Sequence, residues 1–184
     1  MKKIKSRLKF LLGIYLLSQV SFYVFSPLYA LFGKSLNMTP KSIGFIWGTY
    51  TLASAFFILV FGKFENKKKK EGFIKLGMLI YVASDLLFLF VHNPESLLLV
   101  LLLAAVGSGV TFPSIKTLFA RNENKGRESE EWSWMDSGNM LAASIGAFIG
   151  GTIISLYSFK GLFIAMAVIQ ALAFLLSSQA FKKA

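Results

Sequence analysis

Six long apolar stretches take up most of this 184-residue chain, and polar loops separate them. They cover residues 10–32, 42–61, 73–91, 96–119, 134–157 and 161–181, which we name TM1 to TM6 in chain order. Each is close to the ~20 apolar residues that an α-helix needs to cross the hydrocarbon core of a bilayer. The pattern predicts an all-α, polytopic membrane protein in which residues 1–184 form one domain of six transmembrane helices.

The charge distribution predicts how these helices are oriented. The formal net charge is +11, but the Lys and Arg residues lie in short segments between apolar stretches, so topology explains the charge better than nucleic-acid binding. Of the 20 Lys and Arg residues, all but Lys34, Lys41 and Lys160 fall on the side that holds the two termini. We therefore expect a multi-pass protein of the cytoplasmic (inner) membrane, in contact with lipid and not with nucleic acid, with both termini in the cytoplasm.

Residue types that support catalysis or metal binding are scarce. The chain has no Cys and one His, His92, so thiolate chemistry and a His-rich zinc site are excluded. Motifs such as Gly-x-Ser-x-Gly and His-Glu-x-x-His are also absent from the sequence, and we expect no cofactor, no metal and no enzymatic activity. The basic start and first apolar stretch resemble a signal peptide, but the stretch exceeds the usual length and lacks a small-x-small cleavage site. We interpret it as TM1.

Polar and aromatic side chains recur along one face of several helices. In hydrocarbon, such side chains normally face the bundle interior or water, and Gln19 lies ~14 Å along TM1, near the middle of the membrane. The alternative is that the Ser and Thr hydroxyls bond their own backbone and the Tyr side chains anchor the interfaces. The candidate substrate-binding residues, expected to line a central cavity, are Gln19, Phe22, Ser26 and Tyr29 of TM1, Trp47, Tyr50 and Ser54 of TM2, Ser108 and Thr111 of TM4, and Asn139 of TM5.

Asp85 is an acid deep inside TM3, ~18 Å from the start of the helix. A charge at that depth is costly, so a functional role is the first hypothesis. Tyr81 and His92 lie on the same helical stripe, which places Tyr81 where its hydroxyl can hydrogen-bond the carboxyl group. Asp85 is the candidate for binding a coupling proton, and the alternative is a protonated structural acid.

The loop after TM2, residues 62–70, reads Gly-Lys-Phe-Glu-Asn-Lys-Lys-Lys-Lys. It resembles the Gly-x-x-x-Asp-Arg-x-Gly-Arg signature that major facilitator superfamily transporters carry at this place. Gly62, Lys67 and Lys70 match in kind, whereas Asn66 replaces the acid. In that family the loop latches a cytoplasmic gate through charge pairs, so the resemblance implies a gate loop at Gly62, Asn66, Lys67 and Lys70. The alternative is a basic loop that only sets topology.

Two further stretches carry the same resemblance. Residues 142–151 are similar to the fifth-helix motif Gly-x-x-x-Gly-Pro-x-x-Gly-Gly of the family's exporters, and Gly146, Gly150 and Gly151 match it. The alternative is that these small residues serve helix packing alone. Residues 26–30 are similar to a proline-containing pattern in the family's first helix. The family's fourth-helix arginine is absent, so its part in proton coupling is not carried over.

The resemblance runs across all six helices and corresponds to the amino-terminal half of a family member. Such transporters usually have twelve helices in two halves of equal orientation, each half a 3+3 inverted repeat. Because the charge bias permits only parallel pairing, the resemblance implies a parallel homodimer that works by alternating access. The implied function is exporter-like, secondary active transport of a small neutral, amphipathic or lipophilic-cation solute, since the candidate residues include no arginine for multiply charged anions. The alternative is a non-transporting membrane subunit, or a relict half-transporter, that binds a partner protein.

Overall fold

A computed structural model describes residues 6–64 and 69–181, and the regular elements in these ranges are helices. Six helical spans within them are long and apolar enough to cross a membrane, which confirms the predicted number. From here on, TM1 to TM6 denote Arg7–Ser35, Pro40–Phe64, Lys70–Phe90, Pro94–Asn122, Glu128–Leu156 and Phe159–Gln179. A 3₁₀ turn at Ser26–Leu28 divides TM1 into α-helices Ser6–Phe25 and Tyr29–Ser35, and a second 3₁₀ turn, Phe88–Phe90, ends TM3.

The ends of these helices follow from local capping chemistry. Asn93 Oδ1 accepts a 2.7 Å hydrogen bond from the Ser96 backbone N–H, and Ser96 Oγ accepts one from the Asn93 backbone N–H. This reciprocal pair and Pro94 at the first helical position start TM4 two residues before the predicted residue 96. Pro113 sits inside TM4 without ending it, whereas Pro27 lies in the 3₁₀ turn that interrupts TM1.

TM5 begins at Glu128, earlier than the predicted residue 134, because the preceding loop is tied to its first turns. The fully buried Glu131 carboxylate accepts hydrogen bonds from both the backbone N–H and the Nδ2 of Asn124. Trp132 Nε1 donates to Glu123 at 2.9 Å. Acidic side chains in a first helical turn also interact favourably with the helix dipole.

The six helices pack as neighbours along an arc in the order TM2, TM4, TM3, TM6, TM1, TM5, and TM1 also contacts TM4 across it. TM4 packs on TM2 and TM3, TM1 packs on TM5 and TM6, and TM3 meets TM6 in the middle. Exchanging TM1–TM3 with TM4–TM6 leaves this pattern of neighbours unchanged, as an inverted 3+3 repeat would require. The repeat itself stays a prediction.

The outer surface of the arc is strongly apolar. Phe45 and Leu52 of TM2 are 70% and 74% exposed, and Phe148 of TM5 is 75% exposed. Such a surface is suited to lipid rather than water. The helices at the two ends of the arc thus present apolar faces outward.

Candidate functional site

An open cavity of about 130 Å³ lies between TM1, TM2, TM3, TM4 and TM6. Half-buried Gln19, Phe22 and Trp47 stand at its edge, whereas Asp85 and Ser108 are buried. The cavity therefore opens beside TM1 and TM2 and narrows toward TM3. Its polar lining side chains are Ser18, Gln19, Ser21, Tyr50, Tyr81, Asp85, Ser108 and Gln170.

Asp85 is the one acidic residue among the described residues that line this cavity. It is 7% exposed, and its Oδ2 lies 3.3 Å from the Oγ of Ser21 on TM1. The hydrogen bond expected from Tyr81 to Asp85 is not formed. The Tyr81 hydroxyl donates instead to Ser108 Oγ at 2.9 Å. His92 is turned toward the end of its own helix, with Nδ1 2.8 Å from the Phe90 carbonyl oxygen.

Two amides bring TM5 and TM6 to the same level of TM1. Gln19 Nε2 donates a 2.6 Å hydrogen bond to Asn139 Oδ1, and Ser18 Oγ donates to Gln170 Oε1 at 3.1 Å. The Nε2 of Gln170 faces the Met78 sulfur at 3.0 Å, which is a weak acceptor. The adjacent residues Ser18 and Gln19 of TM1 thus bind amide side chains of TM6 and TM5. Because the Met78 sulfur is a weak acceptor, Gln170 Nε2 can still donate a hydrogen bond at the cavity wall.

Aromatic rings form the opening and the closed end of the cavity. The Phe22 and Trp47 ring centroids lie 6.3 Å apart at the opening. At the end of the bundle that carries Lys34 and Lys160, Phe88 and Phe163 stack with ring centroids 5.1 Å apart. Phe25 contacts both of these rings. The cluster of Phe25, Phe88 and Phe163 closes that end.

Five of the ten predicted substrate-binding residues line the cavity: Gln19, Phe22, Trp47, Tyr50 and Ser108. The other five are not among the described residues that line it, and their part in substrate binding stays a prediction. Ser26 lies in the 3₁₀ turn of TM1, and the Tyr29 hydroxyl donates to the Ile43 carbonyl. The Ser54 hydroxyl bonds the carbonyl of Tyr50 in its own helix.

Thr111 and Asn139 lie off the cavity for different reasons. Thr111 is buried against Gly77 at the contact of TM3 with TM4, and its Oγ1 is the one buried side-chain N or O without a hydrogen-bond partner in the described part of the chain. Asn139 contacts the site only through Gln19. One helical turn beyond Ser108, Thr111 thus serves a helix contact.

The helices on either side of the predicted gate loop extend into it. Gly62 is helical and belongs to TM2, where an added Cβ would lie 3.9 Å from Pro113. Lys70 is 4% exposed and is the first residue of TM3. Both therefore belong to the helices that flank the loop, and their part in a gate stays a prediction. Asn66 and Lys67 lie outside the described residues.

The glycines of TM5 divide into two groups. A Cβ at Gly146 would lie 2.7 Å from Tyr23 Cβ, and one at Gly150 would collide with the Val24 carbonyl oxygen. Both therefore permit TM5 to pack closely on TM1. Gly151 is exposed and an added Cβ would meet nothing within 4 Å among the described residues, so its part in helix packing stays a prediction.

Sequence reasoning missed Ser21 and Gln170 as cavity-lining residues. Gln170 carried a usable signal, since it is an amide in the middle of the apolar run of TM6. Ser21 carried none, because a single serine in a helix ordinarily bonds its own backbone. Its position opposite Asp85 depends on how TM1 packs on TM3 and TM6.

Comparisons with known proteins agree with this architecture. The sequence model of the Major Facilitator Superfamily matches residues 11–182. An uncharacterised MFS-type transporter of Methanocaldococcus jannaschii is 28% identical over 135 residues, which cover 73% of this chain and 35% of the relative. The quinolone resistance protein NorA of Staphylococcus aureus is 22% identical over 127 residues, which cover 67% of this chain and 33% of that protein.

A solved structure shares the fold. The crystal structure of the POT family transporter PepTSo matches 98% of this chain and 38% of its own chain, with a TM-score of 0.80 at 15% sequence identity. The chain thus spans about a third of the length of the curated relatives that it matches.

Proposed function

The chain belongs to the Major Facilitator Superfamily, and from that premise we propose that it is a secondary active transporter of a small neutral, amphipathic or lipophilic-cation solute. It is exporter-like and works by alternating access as a parallel homodimer. The observation that carries this proposal is the cavity of TM1, TM2, TM3, TM4 and TM6, with a carboxyl group and amides beside aromatic rings.

The chemistry of the cavity supports this solute class. Trp47 and Phe22 at the opening offer flat aromatic faces, which attract organic cations. Asp85 supplies a group that either balances a cation or binds a proton. No Arg or Lys lies among the described lining residues, so a multiply charged anion would find no fixed cationic partner. Among these solutes, a lipophilic cation fits the cavity best.

The side of the bundle on which the cavity opens supports a second copy of the chain. Half-buried Gln19 and Trp47 lie where the cavity opens, and a lone six-helix unit would leave this polar side facing lipid, which is unfavourable. A parallel copy related by a two-fold axis along the membrane normal covers it and produces the two-half arrangement of a longer transporter. The relative named for quinolone resistance supports the exporter-like direction.

The orientation in the membrane follows from the charges at the two ends of the bundle. Arg121 lies in the last turn of TM4, and Lys125 and Arg127 lie between TM4 and TM5. Lys34 and Lys160 lie at the other end of the bundle. With the first group on the inside, both termini are cytoplasmic and the protein resides in the cytoplasmic membrane.

The mass of the intact complex released from native membrane tests the assembly. Two copies of the chain support the symmetric transporter. One copy bound to a different protein favours the alternative, a non-transporting subunit or relict half-transporter with a partner. A strict monomer contradicts self-assembled transport.

Solute flux into proteoliposomes tests transport itself. With tetraphenylphosphonium as the lipophilic-cation probe, we expect wild-type protein to move the probe and Trp47→Ala to slow it, because the cation loses an aromatic face. Thr51→Ala is the matched control on the same helix, since Thr51 is exposed and its hydroxyl bonds the Gly48 carbonyl. Equal flux in protein-free vesicles and in vesicles with wild-type protein contradicts transport of this class.

A further inference from the structure

Ser21 is placed between two acceptors that belong to different helices. Its Oγ lies 3.3 Å from Asp85 Oδ2 on TM3 and 3.0 Å from the Met166 carbonyl oxygen on TM6. Ser21 is 2% exposed, so water does not readily replace either partner. The three groups form a chain across TM3, TM1 and TM6 beside the cavity.

A serine hydroxyl has one hydrogen to donate and lone pairs to accept with. If Asp85 is ionised, both neighbours of Ser21 are acceptors, and the hydroxyl serves only one of them. If Asp85 is protonated, its O–H donates to Ser21 Oγ and the Ser21 O–H donates to the Met166 carbonyl. Both short distances are then satisfied together.

We infer that Ser21 is a positioning residue that transmits the protonation state of Asp85 to TM6. In the protonated state the hydroxyl holds the Met166 carbonyl and ties TM1 to TM6. Loss of the proton turns the hydroxyl toward the carboxylate and releases that carbonyl. The inference rests on the proposed role of Asp85 as the proton-binding group and adds the contact through which proton binding reaches the cavity wall.

The surroundings of Asp85 contain few other groups that titrate. Tyr50 of TM2 and Tyr81 of TM3 are the other titratable side chains among the described lining residues. TM1, TM4 and TM6 contribute polar groups that carry no charge, namely Ser18, Gln19, Ser21, Ser108 and Gln170. Met166 and Gln170 line the same cavity, so a change at the Met166 carbonyl occurs where a solute would bind.

Isotope-edited infrared spectroscopy of the full chain in lipid tests the inference. Backbone ¹³C=O labelling at methionine, with Met166→Leu to identify one band, reports whether the Met166 carbonyl accepts the Ser21 hydrogen bond in addition to the one within its own helix. The protonated carboxyl band, identified by its loss in Asp85→Asn, reports the proton on Asp85. We expect the Met166 band to shift to higher frequency as the carboxyl band disappears with rising pH, with the same midpoint.

Variants distinguish transmission through Ser21 from an effect on folding. Ser21→Ala should leave a titrating Asp85 but abolish the shift of the Met166 band, and Ser21→Thr should restore the shift because it keeps a hydroxyl. In Asp85→Asn the band should not depend on pH, since the amide N–H can donate to Ser21 at every pH.

The possible failures are distinguishable. A carboxyl band that titrates in wild type while the Met166 band stays fixed overturns the transmission and leaves Asp85 as a proton site. The absence of any titrating Asp85 band overturns both the proton-binding role and the inference. A shift that persists in Ser21→Ala overturns the assignment to Ser21.

Discussion

Gln19 and Asn139 join TM1 to TM5 by a 2.6 Å hydrogen bond from Nε2 to Oδ1. Gln19 lines the cavity and Asn139 does not, while Asn139 Nδ2 reaches toward the Tyr23 hydroxyl at 3.5 Å. In hydrocarbon, water is not present to replace a lost partner. The bond therefore fixes the direction of the Gln19 side chain at the cavity edge and contributes to the contact of the two helices.

Replacing either amide should destabilise the protein, and the two losses should not add. Between helices in a membrane such a bond contributes about 0.6 kcal/mol on average and about 1.7 kcal/mol at most, so we expect a coupling energy in that range from a double-mutant cycle of Gln19→Leu and Asn139→Leu. Reversible unfolding in mixed micelles with rising denaturing detergent measures it. Additive losses would show that the two amides act independently.

The glycines of TM5 should respond very differently to the same methyl group. Gly150→Ala forces a side-chain carbon onto the Val24 carbonyl, so TM1 and TM5 must separate, at a cost of about 1–3 kcal/mol. Gly151→Ala is the matched control, because an added Cβ there meets nothing within 4 Å and alanine favours the helix by up to about 1 kcal/mol. Thermal unfolding in detergent measures both. Equal destabilisation by the two substitutions would contradict the described packing of TM5 on TM1.

The number of helices and the cap of TM4 were predictable from sequence, because both depend on local physics. An apolar run of ~20 residues specifies a span regardless of its neighbours, and Asn93 with Ser96 forms a cap within four residues. The start of TM5 was not predictable, because it depends on the buried Glu131 and its bonds to Asn124.

Only half of the candidate site was predictable, because helical periodicity shows which residues share one face of a helix but not what that face contacts in the fold. Ser108 and Thr111 lie one turn apart on the same stripe, yet Ser108 reaches the cavity and Thr111 is buried against Gly77. Which of them meets the cavity depends on how TM3 crosses TM4, and that is set by contacts distant in sequence. Ser21 was missed for the same reason, because its hydrogen-bond partners belong to two other helices.

Ser108 and Thr111 should separate in function. The Thr111 hydroxyl has no hydrogen-bond partner, so Thr111→Val should leave stability within about 0.5 kcal/mol or raise it, and should leave flux unchanged. Ser108→Ala removes the acceptor of the Tyr81 hydroxyl at the cavity and should cost about 1–3 kcal/mol or lower flux. Detergent unfolding and probe flux, run on both variants, check this. Loss of flux in Thr111→Val with stability intact would restore Thr111 as a solute contact.

The orientation in the membrane is testable because the chain has no cysteine of its own. Lys125→Cys and Lys160→Cys each place one thiol at an exposed position, on opposite ends of the bundle. In intact cells an impermeant maleimide should label Lys160→Cys and should reach Lys125→Cys only after permeabilisation. The reverse pattern would invert the proposed topology, and labelling of both in intact cells would indicate a mixed orientation.

Asp85 and Asp136 provide a matched pair of acids for testing proton coupling. Asp85 is buried at the cavity, whereas Asp136 is exposed on TM5 about two turns after its first residue. Asp85→Asn keeps the shape of the side chain but cannot bind and release a proton. Flux of the probe in proteoliposomes should therefore lose its dependence on an imposed pH gradient in Asp85→Asn, whereas Asp136→Asn should respond as wild type does. Asp85→Glu should keep a partial response, because it retains a carboxyl group at a shifted position. A wild-type response in Asp85→Asn would mean that the driving proton or ion binds elsewhere, and would leave Asp85 as a structural acid held by Ser21.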